Sequence, residues 1–132
     1  MLETTTRILV VDDSLSLRKI MSVMIRGAGY QDVIEAANGE KAWEVLTQSD
    51  RPVGLIVCDW MMPVCTGLEF LKKVRADTKY KDLPFFMLTA ETDDDRKVEA
   101  LAAGATEYLS KPFSADVLRD KVAGLGSLAK AA

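Results

Sequence analysis

The stretch GLIVCDWMMP, residues 54–63, runs four apolar side chains, Leu55 to Cys58, straight into a lone carboxylate at Asp59, then into Trp60, two methionines and Pro63. A strand with one face in water alternates apolar and polar residues. An unbroken apolar run of strand length, rich in branched side chains, is instead the pattern of a strand covered on both faces, as in a parallel sheet held between helices. The aspartate that closes such a strand stands at the rim of the sheet, where it is available for chemistry.

The rest of the chain supplies the alternation of strands and helices that this reading needs. RILVVDD at 7–13 is a compact β-branched run, and Ser14 caps a helix whose Leu17, Ile20, Met21 and Met24 fall at i, i+3, i+4 and i+7 and are expected to face inward. GAG at 27–29 is a helix-stop signal, DVIEA at 32–36 a short second strand, and Asn38-Gly39 opens a helix that turns Ala42, Trp43 and Leu46 inward. After the third strand and its Met-Pro loop, Gly67 opens a helix with Leu68, Leu71 and Val74 on one side, which ends near RADTKYKD at 75–82. LPFFMLTA at 83–90 is the fourth strand. Thr92 with Asp93, Asp94 and Asp95 makes an acidic helix start that suits the helix dipole and reads as solvated, not as a ligand set, with Val98, Leu101 and Ala102 as the expected apolar stripe. Gly104 stops that helix, TEYLS at 106–110 is the fifth strand, and Ser114 caps a last helix with Val117, Leu118, Val122 and Leu125 inside. The tail GSLAKAA at 126–132 is expected to fray.

Five strands, each followed by a helix, specify an α/β domain with a five-stranded parallel sheet, doubly wound. A chain of 132 residues is expected to form one domain over 1–132, with a core over about 7–125. No apolar run approaches the roughly 18 residues of a membrane span, and MLETTTR at the start lacks the basic and apolar regions of a secretion signal. The expectation is a soluble, cytoplasmic, monomeric protein. Cys58 and Cys65 make no disulfide framework, and Cys58 reads as a small buried hydrophobe. A net charge of −3 offers no basic stripe for nucleic acid. The chain has no histidine, which excludes Ser-His-Asp triads, Cys-His dyads, histidine zinc sites and phosphohistidine chemistry within it.

In such sheets a ligand sits beyond the carboxyl ends of the strands. The first strand ends in Asp12-Asp13, the third in Asp59 and the fourth in Thr89-Ala90, while Lys111-Pro112 follows the fifth. A nucleotide or flavin sheet would place glycines or hydroxyls after the first strand, whereas two adjacent aspartates repel an anion unless a cation intervenes. Oxygen ligands at this density suit Mg²⁺, which takes a few carboxylates, keeps waters and bridges to phosphoryl oxygens. Each residue also has a plainer reading. Asp12-Asp13 alone would pass for a turn or cap, Tyr108 for an ordinary half-buried strand tyrosine, and Trp60 and Met62 for loop packing.

VVDD at 10–13, CDWMMP at 58–63, MLTA at 87–90 and SKPF at 110–113 resemble, in order and at the right strand ends, the receiver domain of two-component response regulators, most closely its stand-alone chemotaxis members. The resemblance implies a flavodoxin-like (βα)5 fold and lays roles on single residues. Asp59 matches the phosphoacceptor, which takes a phosphoryl group from the phosphohistidine of a partner histidine kinase. Asp13, Asp59 and the backbone carbonyl of Met61 would ligate Mg²⁺, with Asp12 acting through a water. Lys111 would pair with Asp59 at rest and with a phosphoryl oxygen afterwards, and Pro112 matches a cis-proline position. Thr89 and Tyr108 form the switch, the hydroxyl moving toward the phosphoryl group and the ring filling the space it leaves. The readout face would comprise the helix from about Thr92, the strand bearing Tyr108 and the helix from Ser114, with the flagellar motor switch protein as target and a phosphatase as a further partner.

The departures are informative. Met61 and Glu91 flank the path of the hydrolytic water, so phosphate lifetime is expected to be tuned there, and VCTG at 64–67 carries Thr66 in place of an acid. Two other functions compete. A phosphate sink, or a kinase-competing receiver without a motor target, fits the same residues. A dehalogenase-like phosphatase needs a second aspartate two residues after the nucleophile, where this chain has Met61.

Overall fold

The computed structural model of the chain describes residues 4–60, 66–90, 94–111 and 114–131, with the side chains of all of these except Ala90, Asp94, Lys111 and residues 125–131. The strands are β1 (Arg7–Val11), β2 (Val33–Ala36), β3 (Val53–Asp59), β4 (Phe85–Ala90) and β5 (Glu107–Lys111). The helices are α1 (Leu15–Gly27), α2 (Gly39–Gln48), α3 (Gly67–Ala76), α4 (Asp94–Ala102) and α5 (Ala115–Ala131). All strand pairs are parallel and the order is β2-β1-β3-β4-β5, so the order reverses between β1 and β3.

Alternate residues of each strand enter two apolar layers. Leu9, Val11, Ile56, Cys58, Phe85 and Met87 pack under α2, α3 and α4 through Leu46, Phe70, Leu71, Val74 and Ala100. Ile8, Val10, Leu55, Val57, Phe86 and Leu88 meet Met21 and Ile25 of α1 and Leu118 and Val122 of α5. This two-sided burial is the physical reason that the strands are apolar throughout.

Local signals start and stop helices as expected where their residues are described; Thr92 and Asp93, at the expected start of α4, lie outside the described residues. The Leu17 amide donates to Ser14 Oγ at 3.2 Å and the Lys41 amide to Asn38 Oδ1 at 2.8 Å. Thr66, which stands where an acid is common, makes a capping box with Glu69: each side chain accepts from the other's backbone N–H. The turns after α1 and α4 place Gly29 at φ 108° and Gly104 at φ 107°, left-handed conformations that a side chain would strain.

The inward faces of three helices differ from the sequence reading. In α1 the buried residues are Met21, Ser22 and Ile25, while Leu17 and Ile20 are 41% and 53% exposed. Met24 is half-buried against the same layer, so the buried stripe shares Met21 and Met24 with the expected one but is rotated from it, which apolar periodicity could not separate. In α4 the small Ala100 meets the sheet while Val98 and Leu101 point outward, 68% and 46% exposed, and Ala102 is exposed as well. In α5 Leu118 and Val122 are buried as expected but Val117 is 41% exposed. Helix α5 is continuous to Ala131, through most of the stretch expected to fray.

Candidate functional site

The reversal of strand order puts the carboxyl ends of β1 and β3 side by side, with Val11 in register with Cys58. Asp12 and Asp13 leave β1 and Asp59 closes β3. One carboxylate oxygen from each of the three lies within 4.8 Å of the others. Asp12 is fully buried, Asp59 is 7% exposed and Asp13 is exposed, so the cluster is walled on one side and open to water on the other.

Asp12 and Asp59 are held through the backbone around them. The Asp12 amide donates to the Ala36 carbonyl at 3.2 Å, and the Ser14 amide donates to Asp12 Oδ1 at 2.9 Å. Asp59 is in register with Leu88, and the next amide, of Trp60, donates to the Leu88 carbonyl at 3.0 Å. Gly67 then comes hard against this segment: its amide donates to the Trp60 carbonyl at 3.0 Å, and a Cβ there would lie 2.3 Å from the Asp59 carbonyl oxygen.

Three negative groups this close repel one another, and hydrogen bonds alone offset that in part. The donor set is entirely hard oxygen and one side is open to water, which fits a divalent cation of the Mg²⁺ type and does not fit a soft metal.

Thr89, at the end of β4, is 1% exposed and its Oγ1 has no hydrogen-bond partner among the described residues. A buried hydroxyl left unpaired costs on the order of 1–3 kcal/mol. Thr89→Val keeps the shape and removes the unpaired group, so it is expected to raise resting stability by about 1 kcal/mol, read as a higher urea midpoint at unchanged slope. Tyr108 is half-buried on the same face of the sheet, in register with Met87, while Thr89 is in register with Ser110.

Ala90 pairs with Lys111, which brings the Lys111 backbone to this edge of the sheet; its side chain, and all of Met61, Glu91 and Pro112, lie outside the described residues. The structure thus brings together Asp12, Asp13 and Asp59, with Thr89 and Tyr108 on the adjoining strands.

One contributor escapes sequence reasoning. Arg18, half-buried in α1, donates through Nη1 to the Asp12 carbonyl at 2.8 Å and through Nε to Glu35 at 3.3 Å. It braces the chain where the acidic pair begins, and its partner Glu35 lies on β2, so no local signal marks it. Trp60, 8% exposed, packs in the core with the Arg96 guanidinium 5.7 Å from its ring.

The Glu35 brace is sensitive to acid. Burial pushes the Glu35 carboxyl up, but hydrogen bonds and charge from Lys19 and Arg18 outweigh it and hold the group below its ordinary value of 4.5. A carboxyl depressed in the folded state contributes stability that is present above its unfolded pKa and is lost as pH falls through the lower folded value. Urea midpoints of the protein are expected to fall over that acid window more steeply than those of Glu35→Gln, and the two curves should run parallel there only if the ion pairs contribute nothing.

A family profile described as the response regulator receiver domain matches residues 8–123. A chemotaxis protein CheY homolog of Campylobacter jejuni is 43% identical over 124 residues, which covers 92% of this chain and 95% of that protein. Chemotaxis protein CheY1 of Helicobacter pylori is 40% identical, covering 88% and 93%. Among solved structures, chemotaxis protein CheY4 of Vibrio cholerae superposes with a TM-score of 0.80 at 40% identity, covering 89% of this chain and 96% of that one. The receiver domain of a Pseudomonas aeruginosa sensor histidine kinase, with a magnesium ion coordinated in its active-site cleft, superposes with a TM-score of 0.77 at 28% identity, covering 88% and 93%. Among the described residues, no helix is long and apolar enough to cross a membrane.

Proposed function

The chain belongs to the response-regulator receiver family of two-component signalling, and from that membership we propose that it is a cytoplasmic phosphorylation switch of chemotaxis, with Asp59 as phosphoacceptor and the flagellar motor switch protein as target. The observation that carries this reading is the convergence of the Asp12, Asp13 and Asp59 carboxylates at the reversal of strand order.

A carboxylate oxygen of Asp59 attacks the phosphorus of a phosphohistidine on the partner kinase; the P–N bond breaks and the imidazole leaves with its electron pair. Asp13, Asp59 and the Met61 carbonyl would hold Mg²⁺, with Asp12 bonding through water. The ion would supply positive charge against the phosphoryl oxygens. Asp12 keeps the cluster oriented, because its buried carboxylate is fixed by the Ser14 amide. Lys111 would neutralise a phosphoryl oxygen once the acyl phosphate has formed.

The switch uses Thr89. Its buried hydroxyl, without a partner among the described residues, is a donor in want of an acceptor, and a phosphoryl group on Asp59 would be one. Drawing the hydroxyl toward the phosphate frees space on the face it shares with Tyr108. Val98 and Leu101 of α4 and Val117 of α5, all exposed, then offer apolar area beside β5 for a target helix or strand.

Binding of the flagellar motor switch protein, measured with the chain unphosphorylated and in beryllofluoride, tests the target. Tighter binding in beryllofluoride is expected, and equal weak binding in both would leave a phosphate sink. Met61 and Glu91 are proposed to set the lifetime of the acyl phosphate, so Met61→Asn is expected to change its first-order loss; an unchanged rate defeats that assignment.

A further inference from the structure

We propose that Lys97 is a latch on the switch tyrosine: its ammonium holds the Tyr108 ring outward and so sets how far the resting protein leans toward its inactive arrangement. What the latch regulates rests on the phosphorylation-switch reading above. Lys97 Nζ lies 5.1 Å from the centroid of the Tyr108 ring, inside the roughly 6 Å over which a cation is attracted to an aromatic face. Both residues are half-buried, so part of the water that would weaken the contact is already excluded.

The placement of the ring makes this contact depend on the state of the protein. Leu109 enters the layer beneath α1 and α5, so its neighbour Tyr108 stands on the α4 side of β5, the side on which Thr89 is buried with no hydroxyl partner among the described residues. In the proposed latch, a ring drawn toward space left by Thr89 leaves Lys97. The contact is then made in one arrangement and lost in the other, which is the condition for a residue to bias a two-state equilibrium; equal strength in both would shift nothing.

Arg96 supplies the second half of the geometry. Consecutive residues on a helix diverge by about 100°, so one turn of α4 sends Arg96 over Trp60, directly after Asp59, and Lys97 over Tyr108. Helix α4 therefore touches both the segment that follows the candidate phosphoacceptor and the switch strand. By sequence alone, a lysine at this point of an acidic helix start reads as a solvated charge.

The test uses the full chain with Lys97→Met, which keeps the length of the stem and removes the charge, and Lys97→Arg, which keeps a cation. Tyr108 ring protons, assigned by comparison with Tyr108→Phe, are followed by NMR as a soluble gadolinium chelate is added, without Mg²⁺ or beryllofluoride. The methionine variant is expected to lose relaxation at Tyr108, because the ring spends more time inside, and the arginine variant to match the wild type. In Mg²⁺, half-saturation with beryllofluoride should fall about two- to fivefold in Lys97→Met. Unchanged or greater relaxation in Lys97→Met overturns the latch. A wild type that gives no response to beryllofluoride overturns instead the assignment of Asp59, and the relaxation measurement still decides the latch.

Discussion

Asp59→Asn is expected to abolish the single phosphoryl mass increment that acetyl phosphate and Mg²⁺ add to the chain, and at the same time to make the resting protein more stable. The first effect follows from removing the proposed nucleophile: an amide oxygen is a far weaker attacking group than a carboxylate. The second follows from the cluster. Asp12 is fully buried and Asp59 is 7% exposed, with carboxylate oxygens within 4.8 Å. Two unit charges at that separation repel by on the order of 3 kcal/mol at an effective dielectric near 20, and screening on the open side lowers the expected net gain to about 1–3 kcal/mol. That corresponds to a rise in Tm of about 3 °C or more for a chain of this size. Added Mg²⁺ should close the gap, because an ion held at 100 times its Kd would stabilise the wild type by about 2.7 kcal/mol, and the variant lacks one of the proposed ligands. An increment that survives in Asp59→Asn would move the phosphoacceptor elsewhere. Identical Tm values for the two proteins, with and without Mg²⁺, would remove the argument from repulsion.

Gly67→Ala is expected to be among the most damaging single substitutions in the chain. A Cβ at this position would stand 2.3 Å from the Asp59 carbonyl oxygen, 2.9 Å from Trp60 Cα and 3.0 Å from Met87 Sδ. The methionine sulfur can move aside. The two backbone atoms cannot do so without shifting the segment that carries Asp59 or breaking the 3.0 Å bond from the Gly67 amide to the Trp60 carbonyl. The expected loss is about 3 kcal/mol or more in urea unfolding, at the upper end of what overpacking costs. Phosphorylation by acetyl phosphate should also slow in the fraction that stays folded. Gly124→Ala is the control: it lies in α5 with nothing within 4 Å of an added Cβ, and should gain up to about 1 kcal/mol from helix propensity. If the two variants are equally stable, close packing at Gly67 is not what the position requires.

Much of the fold was legible because its signals are local or periodic. Unbroken apolar runs such as Leu55–Cys58 declare strands covered on both faces, and Ser14, Asn38, Gly29 and Gly104 mark helix ends by side-chain or backbone chemistry that needs no distant partner. The faces of the helices were less legible. A stripe of Leu17, Ile20, Met21 and Met24 and a stripe of Met21, Ser22 and Ile25 share a residue and differ by a rotation, and only the sheet beneath decides between them. The same holds for α4, where Ala100 makes the closest approach and the larger Val98 and Leu101 are left to water.

The sequence by itself determined the order of elements and which residue types end each strand, because both depend on neighbours within a few positions. Asp12, Asp13, Asp59 and Thr89 are therefore strand-end residues by sequence alone. Only the tertiary structure decided that the three carboxylates lie within one cation's reach, that the Thr89 hydroxyl is buried with no partner among the described residues, that Arg18 joins Asp12 to Glu35, and that Lys97 sits on Tyr108. Each of those facts rests on distances between groups that stand on separate elements of the fold. Such distances are set by strand order, register and the packing of side chains, which no local pattern encodes.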